Sequence, residues 1–434
     1  MGDTAATLPD PYPIRPFLGT IDAVVPVPGS KSITNRALLC AALATGSSRL
    51  EGVLFADDTE AMMHCIESLG AGVEIDREQS VVTVEGTGGR ILHQSATLDA
   101  RQSGTTARFI AATLLLATEG CVLDAEPQMR DRPMGPIFDA LRALGAQVDD
   151  AGHPGHLPAR IIGVELETQP TVVLAADLSS QFISGLLLVA PCLGHGLRIE
   201  LSTSAVSGPY LEMTMSVMRS FGASVSLQDG VFTIEPGGYD ALRYRVEPDA
   251  TAASYFFAAA AICGGRVRID GLGDQSIQGD VAFVDVLAEM GAIVHRDADS
   301  ITVEGGVLRG VDADLSDISD TAQTLAAVAA RASGGTRVRG IGFIRAKETD
   351  RIAAVVAELR RCGVGAQETP DGFEIIPAPV HPAVIRTYDD HRMAMSFSLL
   401  GLRSQGIEIA DPSCVSKTFP TYFEVLESLR PEDS

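Results

Sequence analysis

Long runs of small and branched apolar residues recur along the chain, each preceded by an abrupt change to Ser, Thr, Lys, Asp and Gly. NRALLCAALATG, ARFIAATLLLATEG, QFISGLLLVAP, AASYFFAAAAICGG, TAQTLAAVAARASGG and MAMSFSLLGLRSQG follow Lys31, Gly104, Ser180, Asp249, Asp320 and Asp390, positions separated by 73, 76, 69, 71 and 70 residues. Runs without a polar stripe predict helices packed on every side, most of them closed by a capping glycine. A second series keeps the same period. SLGAGVEI, ALGAQVDD, SFGASVSL, EMGAIVHR and RCGVGAQE place Gly70, Gly145, Gly222, Gly291 and Gly363 at intervals of 75, 77, 69 and 72 residues. Glycine suits the left-handed position just past a helix, and the alternation that follows predicts a strand.

Together the two series define six units of about 72 residues, each with two helices and several strands. That is an α/β repeat architecture, and so long a period predicts a closed pseudo-symmetric assembly rather than a thin solenoid. The sixth unit runs out in TFPTYFEVLESLR, so its closing strands are expected from the N-terminus. A chain of 434 residues exceeds what one core usually organises, which predicts two domains.

Composition narrows the class. Hydrophobic residues make up 46% and charged ones 21%, the range of an ordinary globular protein, which excludes extensive disorder. The longest apolar stretches, Phe109 to Ala117 and Ala252 to Cys263, fall short of the roughly 18 to 20 residues that span a bilayer. The start, MGDTAATLPDPYPIRP, lacks the basic and then apolar segments of a secretory signal. A cytoplasmic protein that engages no membrane is therefore expected. Seven scattered cysteines without a CxxC pair predict neither a disulfide framework nor a zinc site. A net charge of −23 disfavours nucleic acid as a partner, so an anionic small molecule would have to meet a local cluster of cations.

Such cations stand at or near the predicted helix entries. PGSKSITNRALL puts Lys31 and Ser32 at the turn into a helix and Arg36 one turn on, a phosphate-binding arrangement that is not a Walker loop. SGTTAR is a second small-residue entry, followed by the basic patch MRDRPMGP with Arg130 and Arg132. IRAKETDR carries Lys347 and Arg351, four apart and expected on one helical face, with Glu348 beside them. YDDHRMAM carries Arg392 and SKTFPTYF carries Lys417. Each alone could be a surface ion pair; grouped at helix entries in an acidic chain, they predict an anion-binding centre. Asp320 in DTAQTL and Asp249 in DATAASYF also fit helix N-caps.

PGSKSITNRALL, SGTTAR, RDRPMGP, SSQFISGLLL, KETDR, DDHRMAM and KTFPTYF, in this order, resemble the signature segments of the 5-enolpyruvylshikimate-3-phosphate synthases over nearly the whole chain. The resemblance implies two pseudo-symmetric domains, each of three βαβαββ units, in the inside-out α/β barrel arrangement of the enolpyruvyl transferases. It puts one lobe at 29–247, mainly on the shikimate 3-phosphate side. The other, 1–28 with 248–434, carries the phosphoenolpyruvate side and the catalytic carboxylates. It implies transfer of the carboxyvinyl group of phosphoenolpyruvate to the 5-hydroxyl of shikimate 3-phosphate by a monomer, with no metal and no cofactor, in aromatic amino-acid biosynthesis.

Carried over by motif, Lys31, Ser32, Arg36, Ser179, Ser180, Gln181, Ser207, Asp320 and Lys347 surround shikimate 3-phosphate. Lys31, Gly104 through its backbone N–H, Arg132, Gln181, Arg351, Arg392 and Lys417 hold phosphoenolpyruvate. The resemblance assigns Asp320 as acceptor of the hydroxyl proton, Glu348 to the vinyl carbon and Lys31 to the bridging atoms, leaving Asp249 as a cap.

Some positions depart from the pattern. Arg101 and Gln102 replace a Gly-Asn pair before Gly104 and Phe109 replaces a proline, which predicts weaker inhibition by glyphosate, the family's inhibitor. Phe343 stands where the resemblance implies an asparagine in contact with shikimate 3-phosphate, so that contact is not expected here. Two other readings remain. The sister enzyme acting on UDP-N-acetylglucosamine would have asparagine where Ser32 follows Lys31, and a cysteine in the loop EPQMRDRP. A non-catalytic anion-binding relative would not need Lys31, Asp320, Glu348 and Arg392 together.

Overall fold

The computed structural model describes residues 8–175, 179–203 and 208–430. The chain divides into two compact units, Gly29–Glu247 and Met1–Pro28 with Pro248–Ser434.

The unit 29–247 repeats one pattern. In its second repeat, strand Thr97–Asp99 leads into helix Gly104–Thr113, strand Cys121–Asp124, helix Gly135–Ala143 and strands Gln147–Asp149 and Ala159–Ile162. The first two strands pair in parallel and the rest antiparallel, giving a four-stranded βαβαββ sheet. The third repeat builds the same sheet from Thr171–Leu174, Leu197–Leu201, Val231–Ile234 and Val225–Gln228. In the first repeat the parallel edge strand is Arg243–Arg245, which returns from the end of the unit to pair with Ser47–Glu51. The three repeats therefore close on one another.

The other unit follows the same plan. Its fourth-repeat sheet begins with the N-terminal strand Ile21–Val24, parallel to Gly265–Asp270. Tyr12–Pro13 pairs antiparallel with Ile407–Ile409 in the sixth repeat, so among the described residues the N-terminal segment supplies one closing strand there, making a three-stranded sheet, and its second strand goes to the fourth repeat instead.

Six inner helices form the cores: Lys31–Leu43, Gly104–Thr113 and Ser180–Val189 in one unit, Ala250–Cys263, Ala322–Ala329 and His391–Gly401 in the other. Nearly every residue in them is buried, because apolar side chains all round leave no face for water. Gly185 shows how closely they approach, since a Cβ there would lie 2.8 Å from the Arg108 carbonyl oxygen on the neighbouring inner helix. All five glycines of the second series have positive φ, from 82° to 110°, just past the outer helices. Among the described residues no helix is long and apolar enough to cross a membrane.

Candidate active site

Each inner helix of the unit 29–247 starts with a serine cap. Ser30, Ser103 and Ser179 accept hydrogen bonds from the N–H groups of Ile33, Thr106 and Gln181. Lys31 opens its helix with Nζ 3.2 Å from Oδ2 of buried Asp58, on the outer helix Asp57–Ser68. Arg36, one turn on, is 2% exposed. Its Nε donates to Thr214 Oγ1 (2.8 Å), Nη1 to the Ser32 carbonyl (2.9 Å) and Nη2 to Ser184 Oγ (3.4 Å), and the guanidinium lies over the Phe109 ring at 5.2 Å. Burial among neutral partners pulls its pKa down to about 10.

Gln181 donates to Thr105 Oγ1 (3.3 Å) and accepts from Arg108, whose guanidinium stacks on Phe182. Arg108 is a functional candidate that the motif reading passed over. Gly104 is the first residue of its helix, and a Cβ there would meet the Arg132 guanidinium at 2.8 Å. A side chain at that position would displace Arg132.

Arg130 does not join this group. It is a surface residue forked onto Asp124 (2.9 and 2.8 Å). Ser207 lies outside the described residues.

In the other unit the charges converge on Arg351, which is 1% exposed. Its Nε donates to Asp390 Oδ2 (2.8 Å), Nη1 to Asp320 Oδ1 (3.0 Å) and Nη2 to Glu348 Oε2 (2.7 Å). Arg392 Nη2 donates to the second Asp320 oxygen (2.7 Å), and Lys417 Nζ lies 3.7 Å from Glu348 Oε1. Burial alone would weaken the Arg351 charge, but the three carboxylates outweigh it and hold its pKa above the usual guanidinium range. Tyr255, whose hydroxyl is 3.4 Å from Arg392 Nη1, is pushed up to about 12, chiefly by burial. Ser254, Thr324 and Ser396 link the three inner helices through hydroxyls at 3.2 and 3.3 Å.

The caps separate the two aspartates. Asp249 caps the Ala250 helix, accepting from Ala252 N–H (2.9 Å). Asp320 sits in the 3-10 turn Ser319–Thr321, and its carboxylate turns to Arg351 and Arg392. Asp390 caps the His391 helix through Arg392 N–H (2.9 Å) while holding Arg351.

One expectation is corrected. Lys347 and Arg351 do not share a helical face, because Asp350 caps the helix Arg351–Arg361 by accepting from Ala353 N–H (3.0 Å). Lys347 ends the preceding 3-10 turn Gly342–Ala346. Arg345 fixes that break by donating to Asp350 (2.8 Å) and to Glu368 (2.8 Å).

Strain gathers beside the cluster. Tyr388 and Asp389, immediately before Asp390, have φ of 57° and 54°. A non-glycine residue in this region costs about 1 to 2 kcal/mol. Fully buried Glu358 holds the distortion, accepting from the Tyr388 hydroxyl (2.7 Å) and the Arg386 N–H (3.1 Å).

The departures have structural settings. Arg101 keeps a positive φ of 48°, its N–H donating to Asp99 (2.8 Å), and Gln102 donates to Glu126 (3.0 Å). Phe109 is fully buried, and Phe343 packs on the apolar core.

Over residues 18–426 the chain matches the family model described as EPSP synthase (3-phosphoshikimate 1-carboxyvinyltransferase). A 3-phosphoshikimate 1-carboxyvinyltransferase of Nostoc sp. is 46% identical across 93% of this chain and 95% of its own length. One from Methanoculleus marisnigri is 42% identical across 94% and 97%. The solved structure of EPSP synthase from Acinetobacter baumannii superposes with a TM-score of 0.83 at 26% identity, covering 96% of this chain and 98% of that one. A site built on paired arginines and carboxylates at helix entries, set in a fold of five βαβαββ repeats and a sixth with a three-stranded sheet among the described residues, agrees with these matches: the chain belongs to the EPSP synthase (3-phosphoshikimate 1-carboxyvinyltransferase) family.

Proposed function

We infer that this chain transfers the carboxyvinyl group of phosphoenolpyruvate to the 5-hydroxyl of shikimate 3-phosphate and releases phosphate. The observation that carries the reading is the Arg351 centre, where three carboxylates, Arg392 and Lys417 meet in a buried setting. Such a centre sets hydrogen-bond donors for an anionic group beside carboxylates that can carry protons.

The assignment of roles follows the motifs. Lys31, Ser32, Arg36, Ser179, Ser180, Gln181, Ser207 and Lys347 hold the acceptor. Gly104, Arg132, Arg351, Arg392 and Lys417 hold the donor, with Gln181 and Lys31 shared. Asp320 takes the proton from the 5-hydroxyl as its oxygen bonds to the central carbon of the enol, and Glu348 delivers a proton to the methylene carbon. The tetrahedral intermediate then loses that methyl proton and phosphate together, restoring the vinyl group. Lys31 supports the charge on the bridging oxygens. A cytoplasmic monomer is the working state for this reading.

Phosphate release from phosphoenolpyruvate tests the reading directly. Release with shikimate 3-phosphate and none with UDP-N-acetylglucosamine is the expected result. Release only with the nucleotide sugar points to the sister enzyme, and none with either points to a binding protein.

A further inference from the structure

A second carboxyl group lies buried near Asp320 and has no part in the roles assigned above. Asp280 is 4% exposed and occupies the 3-10 turn Gly279–Ala282. That turn packs on the Ala250 helix, which also packs on the turn holding Asp320. Gln278 sets its place: the side-chain oxygen accepts from Ala250 N–H (3.0 Å) and the amide donates to the Pro248 carbonyl (2.7 Å). Asp280 Oδ2 accepts a short hydrogen bond from Thr251 Oγ1 in the first turn of the same helix.

One turn along the Ala250 helix the Tyr255 hydroxyl lies 3.4 Å from Arg392 Nη1, and Arg392 Nη2 donates to Asp320 (2.7 Å), so Asp280 and the Arg392–Asp320 pair meet the start of one helix. Asp320, Arg392 and the capping Asp249 are the charged groups that act on Asp280 through space. On the next helix, Phe283–Met290, Asp285 is exposed and pairs outward with Arg296 (2.7 Å), and Glu289 is exposed.

We propose that Asp280 is a positioning residue for the proton-accepting step: its negative charge competes with Asp320 for Arg392 and keeps Asp320 basic enough to take the hydroxyl proton. The physical need is plain. Asp320 accepts from two arginines at 3.0 and 2.7 Å, and a carboxylate so paired is a weak base. A nearby like charge restores basicity.

Burial first, and then Asp320, hold the Asp280 proton up to about pH 7, while the Thr251 hydrogen bond and Arg392 favour its release. Above that pH the pair is fully ionised and Asp320 is at its most basic. Below it one proton sits on the pair, and the acceptor weakens. The inference rests on Asp320 being the acceptor.

The experiment is the pH profile of kcat for the wild type, Asp280→Asn, Thr251→Val and Asp320→Asn. Wild-type kcat should rise through about pH 7. Asp280→Asn should lose that inflection and run about tenfold slower at about pH 8, with both KM values within about twofold. Thr251→Val retains the carboxylate but loses the bond that favours its charge, so its inflection should move upward by about half a pH unit. It serves as the test if the asparagine variant does not fold. A wild-type profile flat through this range, or variants that track the wild type, overturns the proposal. Asp320→Asn separates the two readings. If it keeps wild-type kcat, the acceptor assignment falls; if it is inactive while Asp280→Asn behaves as wild type, only the role of Asp280 falls.

Discussion

Arg36 and Arg351 are the largest side chains fully buried in their respective units, and they are satisfied in opposite ways. Arg36 is held by hydroxyls, carbonyls and an aromatic face, all neutral. Among the described residues no carboxylate is bonded to it, and burial leaves its own proton held less tightly than usual. Arg351 is enclosed by Asp320, Glu348 and Asp390, and its charge is locked. Burial of an arginine thus serves two ends. In one unit it leaves a buried positive charge held by neutral groups, and in the other it fixes three carboxylates, two of which are the proton carriers of the proposed reaction.

Replacing each arginine by an apolar side chain of similar length gives the sharpest test. Arg351→Met would take the guanidinium from buried Asp390 and leave Asp320 with Arg392 and Glu348 with Lys417, and it should destabilise its unit by about 3 to 5 kcal/mol, with activity abolished, as read from urea unfolding and phosphate release. Arg36→Met leaves only hydroxyls and carbonyls unpaired and should cost about 1 to 3 kcal/mol, together with a rise of about tenfold or more in KM for the phosphorylated acceptor. If the order of the two stability losses were reversed, the contrast between neutral and ionic satisfaction would be wrong.

Smaller effects refine it. Asp280 is a buried carboxyl whose native proton affinity lies above the ordinary 3.8, near 7. The folded state therefore binds more protons than the unfolded one between those values, and Asp280 lowers stability as pH rises through that window. Asp280→Asn should melt higher than the wild type above about pH 7, with the difference vanishing below about pH 4, as followed by thermal scans. Arg101→Gly should relieve the positive φ and stabilise its unit by about 1 kcal/mol or less, measured by the urea midpoint. The same variant should also bind glyphosate more tightly, because it restores the family's residue at the entry to the Gly104 helix.

The architecture was legible because its signals are local and repeated. Glycines at one interval and apolar runs at another each reflect a backbone or solvation constraint that acts within a few residues. Asp249 as a cap was legible for the same reason, since its partner is three residues away. Composition and spacing did not separate Arg130 from Arg132, two positions apart; the motif resemblance singled out Arg132, and the fold places Asp124 beside the first and Gly104 against the second. Lys347 was placed on a helix from its spacing to Arg351, whereas Arg345, Asp350 and Glu368 together start the helix later.

Asp58, Tyr255 and Asp280 had no motif to mark them, and Arg108, at the end of SGTTAR, was given no role. Their significance lies in contacts across tens to well over a hundred residues, such as Arg108 to Gln181 and Tyr255 to Arg392. The sequence by itself determined six repeats, their helix starts and stops, and an acidic chain with cations gathered at helix entries. Tertiary structure decided which of those cations are neutralised, which carboxylates share them and which acid holds its proton more tightly than usual. Propensity and capping act along the chain, whereas burial and Coulomb interactions act through space.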